Sequence, residues 1–233
     1  VIVFGGDRGR AAQPILRDPE RYPDCDVLLT ESTYGSKVHA GADDMRGELI
    51  RVVKTIAQNG SKLVIPAFSV GRTQNLLYFL CELFHAKLIP HIPVFVDSPL
   101  TVRITDVFKL HPECYDAETR ALMRGNDSPF DFDDLSYIED RDASKRLSAS
   151  HDASIVISAS GMCEAGRILH HLRDGIQDEK NTVLIVDDSS SLRTVVRMAL
   201  TRAGYEVLEA ADGLEGLARL DEGTVLARRV LHR

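Results

Sequence analysis

Two acidic side chains stand where strands give way to small-residue turns. Asp7 lies in Phe4-Gly5-Gly6-Asp7-Arg8-Gly9-Arg10, directly after an apolar run, and Glu31 follows Val27 to Thr30 in Thr30-Glu31-Ser32-Thr33-Tyr34-Gly35. A carboxylate at such a position can ligate a metal or simply close a turn. Three further turns are rich in Ser and Gly: Ala67-Phe68-Ser69-Val70-Gly71-Arg72, Asp97-Ser98-Pro99 and Ser158-Ala159-Ser160-Gly161-Met162. Each follows an apolar run and precedes a helical pattern. Helix N-termini present unpaired N–H groups and partial positive charge, so such turns suit phosphate oxygens. Arg72 would add a bidentate contact. Ser69, Ser98, Ser158, Ser160 and Gly161 are therefore candidate phosphate contacts, with helix capping as the alternative for Ser69, Ser98 and Ser160. No G-x-S-x-G elbow makes a nucleophile of any of them. The eight histidines show neither H-x-H-x-D-H nor H-E-x-x-H spacing, and a zinc cluster cannot be assembled locally from them. A second acidic pair, Asp187-Asp188, ends the apolar run Val183 to Val186.

The elements that must carry these turns alternate between two periods. Leu49, Val52, Val53 and Ile56 recur at helical spacing, as do Leu76, Phe79, Leu80, Leu83 and Phe84. Strands are predicted for Lys62 to Pro66, Pro93 to Asp97, Ser154 to Ala159 and Thr182 to Val186, and the first residues, Val-Ile-Val-Phe, read as a buried strand. Helices between apolar strands predict βαβ units and a parallel sheet, whose strand ends would gather the turns in one crevice. The acidic stretch from Gly125 to Asp142 reads as a surface excursion.

Composition sets the outer bounds. The 233 residues are 44% hydrophobic, enough for one large or two modest cores, with a formal charge of −7 that opposes broad attraction to nucleic acid. Any nucleic-acid contact must be local. No apolar run is long enough for a membrane span and no secretory leader pattern opens the chain, so the cytoplasm is expected. The strand-like start without a methionine suggests an N-terminal truncation. Four scattered cysteines, Cys25, Cys81, Cys114 and Cys163, form no C-x-x-C pair and are expected to be buried thiols rather than a disulfide framework.

The strings FGGDRGR, TESTYG, IPAFSVGRTQNLLYFL, PVFVDSPL and ISASGMCEAGRILHHL together resemble the metallo-β-lactamase-fold ribonucleases with a β-CASP insert, over about residues 1 to 181. The resemblance implies a metallo-β-lactamase fragment over 1–35 and a parallel-sheet, three-layer αβα β-CASP domain over 36–181. It also implies RNA phosphodiester hydrolysis with two zinc ions that activate a bridging water. Asp7 would be the zinc-bridging aspartate and Glu31 the acid orienting a metal-binding histidine. Ser69, Arg72, Ser98, Ser158, Ser160 and Gly161 would face the RNA backbone. His170 and His171 match a His-His pair in relatives and are assigned a structural role. The family's H-x-H-x-D-H loop and its later histidines are not present, so the chain alone is expected to lack nuclease activity.

After Asn181, VLIVDDSSSLRTVVRMALTRAGYEVLEAADGLEGLARL resembles the start of a CheY-like receiver, implying a partial βαβα unit over 182–222 and a tail over 223–233. There Asp187 and Asp188 would bind Mg²⁺ and a histidine kinase would be the partner, but no phosphoacceptor aspartate follows a third strand. A signalling module, or a truncated or chimeric product without activity, are the alternatives to the nuclease-derived domain.

Overall fold

Apolar side chains on both faces of two short strands fix the centre of the molecule. In the computed structural model, which describes residues 1–9, 11–32, 42–124, 128–175, 182–183, 198, 205–207 and 227–229, the order begins β1 (Ile2–Gly6), β2 (Val27–Thr30), α1 (Ala42–Asn59), β3 (Lys62–Pro66), α2 (Arg72–His85) and β4 (Val94–Val96). It continues with α3 (Pro99–Leu110), α4 (Ala117–Arg124), β5 (Leu135–Tyr137), α5 (Arg141–Ala149), β6 (Ser154–Ser158), α6 (Ile168–Gly175), β7 (Thr182–Val183), β8 (Tyr205–Val207) and β9 (Ala227–Arg229).

Five strands form one sheet in the order β5-β4-β6-β3-β7, every neighbouring pair parallel. β3 and β6 are buried at every position, as expected where helices cover both faces of a parallel sheet. Right-handed crossovers send the connections β3-α2-β4 and β4-α3-β5 over one face and β5-α5-β6 and β6-α6-β7 over the other. α1 packs with α2, and α5 with α6. The predicted stripes are those that face the sheet: Leu49, Val52, Val53 and Ile56 are at most 3% exposed, and Leu76, Phe79, Leu80, Leu83 and Phe84 at most 4%. Burying each such side chain stabilises the fold by about 1.5–3 kcal/mol. Arg46 closes the α1/α2 contact by lying over the Phe79 ring at 5.1 Å and pairing with Glu82 at 2.9 Å.

Lys62 shows how the sheet is fastened beyond apolar packing. Its ammonium is buried at the start of β3 and donates to the carbonyls of Leu147, Ser148 and Ser150 at 2.8, 3.3 and 2.7 Å. These are orphan acceptors at the C-terminal end of α5, and a cation is favoured there by the helix dipole.

Three expectations need correction. Residues Val1 to Phe4 do lie in and beside a strand, but Val1, Ile2 and Phe4 are 60–77% exposed rather than buried. β1 pairs only with β2 among the described strands, and Val27, Leu28 and Leu29 of that partner are 41–48% exposed as well, so the described residues leave most of the pair's apolar side chains uncovered, Tyr22 packing against Gly5 and Thr30. The Gly125 to Asp142 stretch is more than an excursion, because it supplies edge strand β5 and buries Phe130 completely. Only Cys81 and Cys163 are buried; Cys25 is intermediate and Cys114 exposed, and all four are free thiols. Burial pushes the Cys163 thiol up to about 12. Among the described residues no helix is long and apolar enough to cross a membrane.

Candidate nucleic-acid interface

Strand order decides where the turns meet. The chain leaves β4 toward β5 and leaves β6 in the opposite direction toward β7, although β4 and β6 are neighbours. Their connections diverge and open a crevice outside the carboxyl ends, the usual place for a ligand in an open α/β sheet. The turn after β4 carries Asp97 and Ser98, the turn after β6 carries Ala159 to Gly161, and the turn after β3, adjacent to β6, carries Ala67 to Gly71. All three therefore share one edge of one sheet.

Contacts across that edge are close. A Cβ on Gly161 would meet the Phe68 ring at 2.9 Å and the Phe68 backbone nitrogen at 3.1 Å, so only glycine lets the β6 turn approach the β3 turn this nearly. The Ala67 N–H donates to the Ser158 carbonyl at 3.0 Å. Gln74, fully buried in α2, donates to the Ser69 carbonyl at 3.2 Å and to Thr105 of α3 at 3.0 Å, while Thr73 donates to the Phe68 carbonyl at 2.9 Å.

Beneath the crevice lies a buried carboxylate that the sequence did not single out. Asp97 is wholly buried; its Oδ1 accepts from Arg167 Nη1 at 2.7 Å, and its Oδ2 accepts from Ser144 at 2.7 Å and from His171 Nε2 at 2.6 Å. Burial by itself would raise this carboxyl, but the hydrogen bonds from His171, Ser144 and Arg167 outweigh it and hold Asp97 below the usual aspartate value. Arg167 extends the network by donating to the carbonyls of Ile138 and Glu139 at 3.0 and 2.6 Å. One carboxylate thus ties the end of β4 to the β5-α5 connection, to α5 and to the start of α6.

The candidate residues have separate fates. Ser98 caps α3, accepting from the Thr101 N–H at 3.3 Å with Pro99 in the first turn, and is buried. Ser158 is buried too and donates to the Asp97 carbonyl at 2.8 Å, a strand-to-strand tie. Ser69 and Ser160 are half-buried at the crevice, and Gly161 is buried beside them. Arg72 opens α2 and is half-buried, while the N-cap of that helix is Gly71 and not Ser69. Asp7 and Glu31 are both exposed, one residue beyond the paired Gly6 and Thr30, so they share one end of the β1-β2 sheet. His171 takes the structural place assigned to it, completely buried on Asp97, with Nδ1 lacking a partner among the described residues. Asp187 and Asp188 lie outside the described residues.

An open parallel sheet with helices on both faces and a ligand crevice at its switch point defines a doubly wound α/β domain. The chain belongs to the Beta-Casp domain family, which it matches over residues 73–191. It is 32% identical over 185 residues to a protein of Thermus thermophilus named Ribonuclease TTHA0252, covering 79% of this chain and 42% of that one. It is 27% identical over 190 residues to the transcription termination factor FttA of Methanosarcina mazei, covering 79% of this chain and 30% of that protein. Against the cleavage and polyadenylation specificity factor 73 of Drosophila melanogaster it is 28% identical over 186 residues, covering 79% and 26% respectively. The chain spans less than half the length of these relatives. The family match runs past residue 181, and Thr182-Val183 pairs with β3 as the edge of the five-stranded sheet.

Proposed function

We propose that this chain is the RNA-holding part of an RNA phosphodiester hydrolase of the Beta-Casp family, gripping the sugar-phosphate backbone in the crevice at the β4/β6 switch point. The observation that carries this is the meeting of the β3, β4 and β6 turns at one sheet edge, in a chain whose relatives bear the names ribonuclease and endoribonuclease. In this reading Ser69, Ser160 and Arg72 meet phosphate oxygens, and Ser98, Ser158 and Gly161 shape the turns behind them.

The relatives' class implies zinc and a metallo-β-lactamase portion, of which β1, β2, Asp7 and Glu31 would be part. Those residues do not by themselves fit two zinc ions. Among the described residues no three His, Cys, Asp or Glu side chains gather where a metal could sit, and a zinc ion needs three or four protein ligands. We propose that the 233-residue chain alone binds RNA without cutting it, in the cytoplasm. Two bound zinc ions per chain together with metal-dependent RNA cleavage would overturn the second half of that statement.

Binding of a fluorescent single-stranded RNA tests the first half. Arg72→Ala is expected to weaken binding several-fold and to reduce the salt slope by about 0.7, the loss of one phosphate contact. Unchanged affinity and slope would remove Arg72 from the interface. For residues 182–222 a receiver-like role rests on the sequence string alone, with Asp187 and Asp188 holding Mg²⁺. The antiparallel pairing of β8 with β9 lends it no support, since receiver sheets are parallel. Mg²⁺ binding lost in Asp188→Asn would favour it.

A further inference from the structure

Between α5 and α6, on the face opposite α2, runs an open groove of about 290 Å³. Four cations line it, Arg141, Lys145, Arg167 and Arg173, together with His170 and a single acid, Asp174. That concentration of positive charge is set against a chain of net charge −7. We propose that this groove is a second phosphate-binding surface, which takes up the backbone of single-stranded RNA as it leaves the crevice; the inference rests on the RNA reading above.

Position links the two sites. Both helices begin at the carboxyl edge of the sheet, α5 after β5 and α6 after β6, so the groove opens on the edge that holds the crevice. Arg167 stands at the junction, held to Asp97 on the crevice side and to the Ile138 and Glu139 carbonyls beside the first turn of α5. From Arg141 to Ser148 the groove follows α5 for roughly 10 Å. This is a track and not a point.

The lining also selects the ligand. Apart from His170 it contains no aromatic residue and it has no aliphatic one, the remaining two side chains being Ser144 and Ser148. With four cations against one imidazole ring, recognition falls mainly to backbone phosphates, which carry charge but no sequence. The cations differ in availability. Arg167 is committed to Asp97, and Arg173 is paired with Asp174 at 2.7 Å, an acid that also accepts from Ser148. Arg141 makes no ion pair among the described residues, and Lys145 has only an exposed pair with Asp142 at 3.0 Å, a type of contact that contributes little. Arg141 and Lys145 are thus the two charges an incoming phosphate can recruit at small cost.

The test uses the full chain and two fluorescent RNAs, one of about five nucleotides and one of about fifteen. The doubly substituted Arg141→Ala/Lys145→Ala chain is expected to bind the longer RNA about ten-fold more weakly. Its salt slope should fall by about 1.4, two single-strand phosphate contacts, while affinity for the short RNA stays as in wild type. Arg72→Ala should weaken both. Wild-type affinity and slope of the double variant for the longer RNA would overturn the groove and leave the crevice standing. The converse pattern, loss in the double variant with Arg72→Ala silent, would keep the groove and sink the crevice. Equal losses for both RNAs would overturn the groove as an extension, and no binding of either RNA by wild type would overturn both sites. A polyglutamate of matched length competing as well as the long RNA would also overturn the proposal, pointing to an acidic peptide.

Discussion

Asp97→Asn is the perturbation that reaches furthest into the fold. The substitution keeps the size and one acceptor oxygen of a fully buried side chain, but it removes the charge that receives Arg167, Ser144 and His171. The new amide directs N–H donors at groups that are themselves donors. Breaking a buried ionic network by removing one partner costs about 3–5 kcal/mol, and the retained oxygen places Asn near 3. With a urea m-value of about 2 kcal/mol/M the midpoint should fall by roughly 1.5 M. The pH dependence carries a second signature. Because Asp97 titrates below its unfolded value, the carboxylate contributes stability that is present above about pH 4 and lost as pH falls through the folded value. Wild type should therefore lose stability on the acid side over a range where Asp97→Asn changes less. In a double-mutant cycle with His171→Ala the two losses should sum to more than the loss in the double variant, since both remove the same bond. A midpoint shift below about 0.25 M, or strict additivity, would refute the hub.

Two other substitutions test how the turns and helices are held. Lys62→Met strands the carbonyls of Leu147, Ser148 and Ser150 at the end of α5. A loss of about 1–3 kcal/mol is expected, with faster hydrogen exchange in the last turn of α5; unchanged exchange there would show that the ammonium does not hold the helix. Gly166 has φ +85° and a Cβ there would lie 2.4 Å from the Ala159 carbonyl oxygen. Gly166→Ala should cost at least about 1–2 kcal/mol from the left-handed backbone alone and lower the melting temperature, and a wild-type melting temperature would contradict the tight β6-α6 loop.

How much of this was legible depended on distance along the chain. β3 was predicted residue for residue, and β4 and β6 to within a residue at their ends, because a strand buried on both faces is a short unbroken apolar run between Gly, Pro and Ser. The helix stripes were legible for the same local reason. β5 was not, since an edge strand of Leu135, Ser136 and Tyr137 inside an acidic stretch has too little apolar pattern to stand out. Asp97 escaped notice because its partners are 47, 70 and 74 residues away, and no spacing rule joins them. The apolar run before it held a usable signal, because an acid that ends a largely buried strand must find a partner. Ser98 and Ser158 engage their hydroxyls in a cap and a strand tie, uses that a Ser-rich turn does not distinguish from ligand contact. β1 was found but its burial was not, since apolar residues mark a strand without saying what covers it.

In the proposed function, RNA lies across the carboxyl edge of the five-stranded sheet. Photo-cross-linking of a 4-thiouridine RNA to the full chain, with the modified peptides mapped by mass spectrometry, tests it most directly. Cross-links concentrated in residues 67–72 and 158–162 are expected. Cross-links confined to the opposite, amino-terminal edge of the sheet, around Ser61 and Ala153, would contradict it.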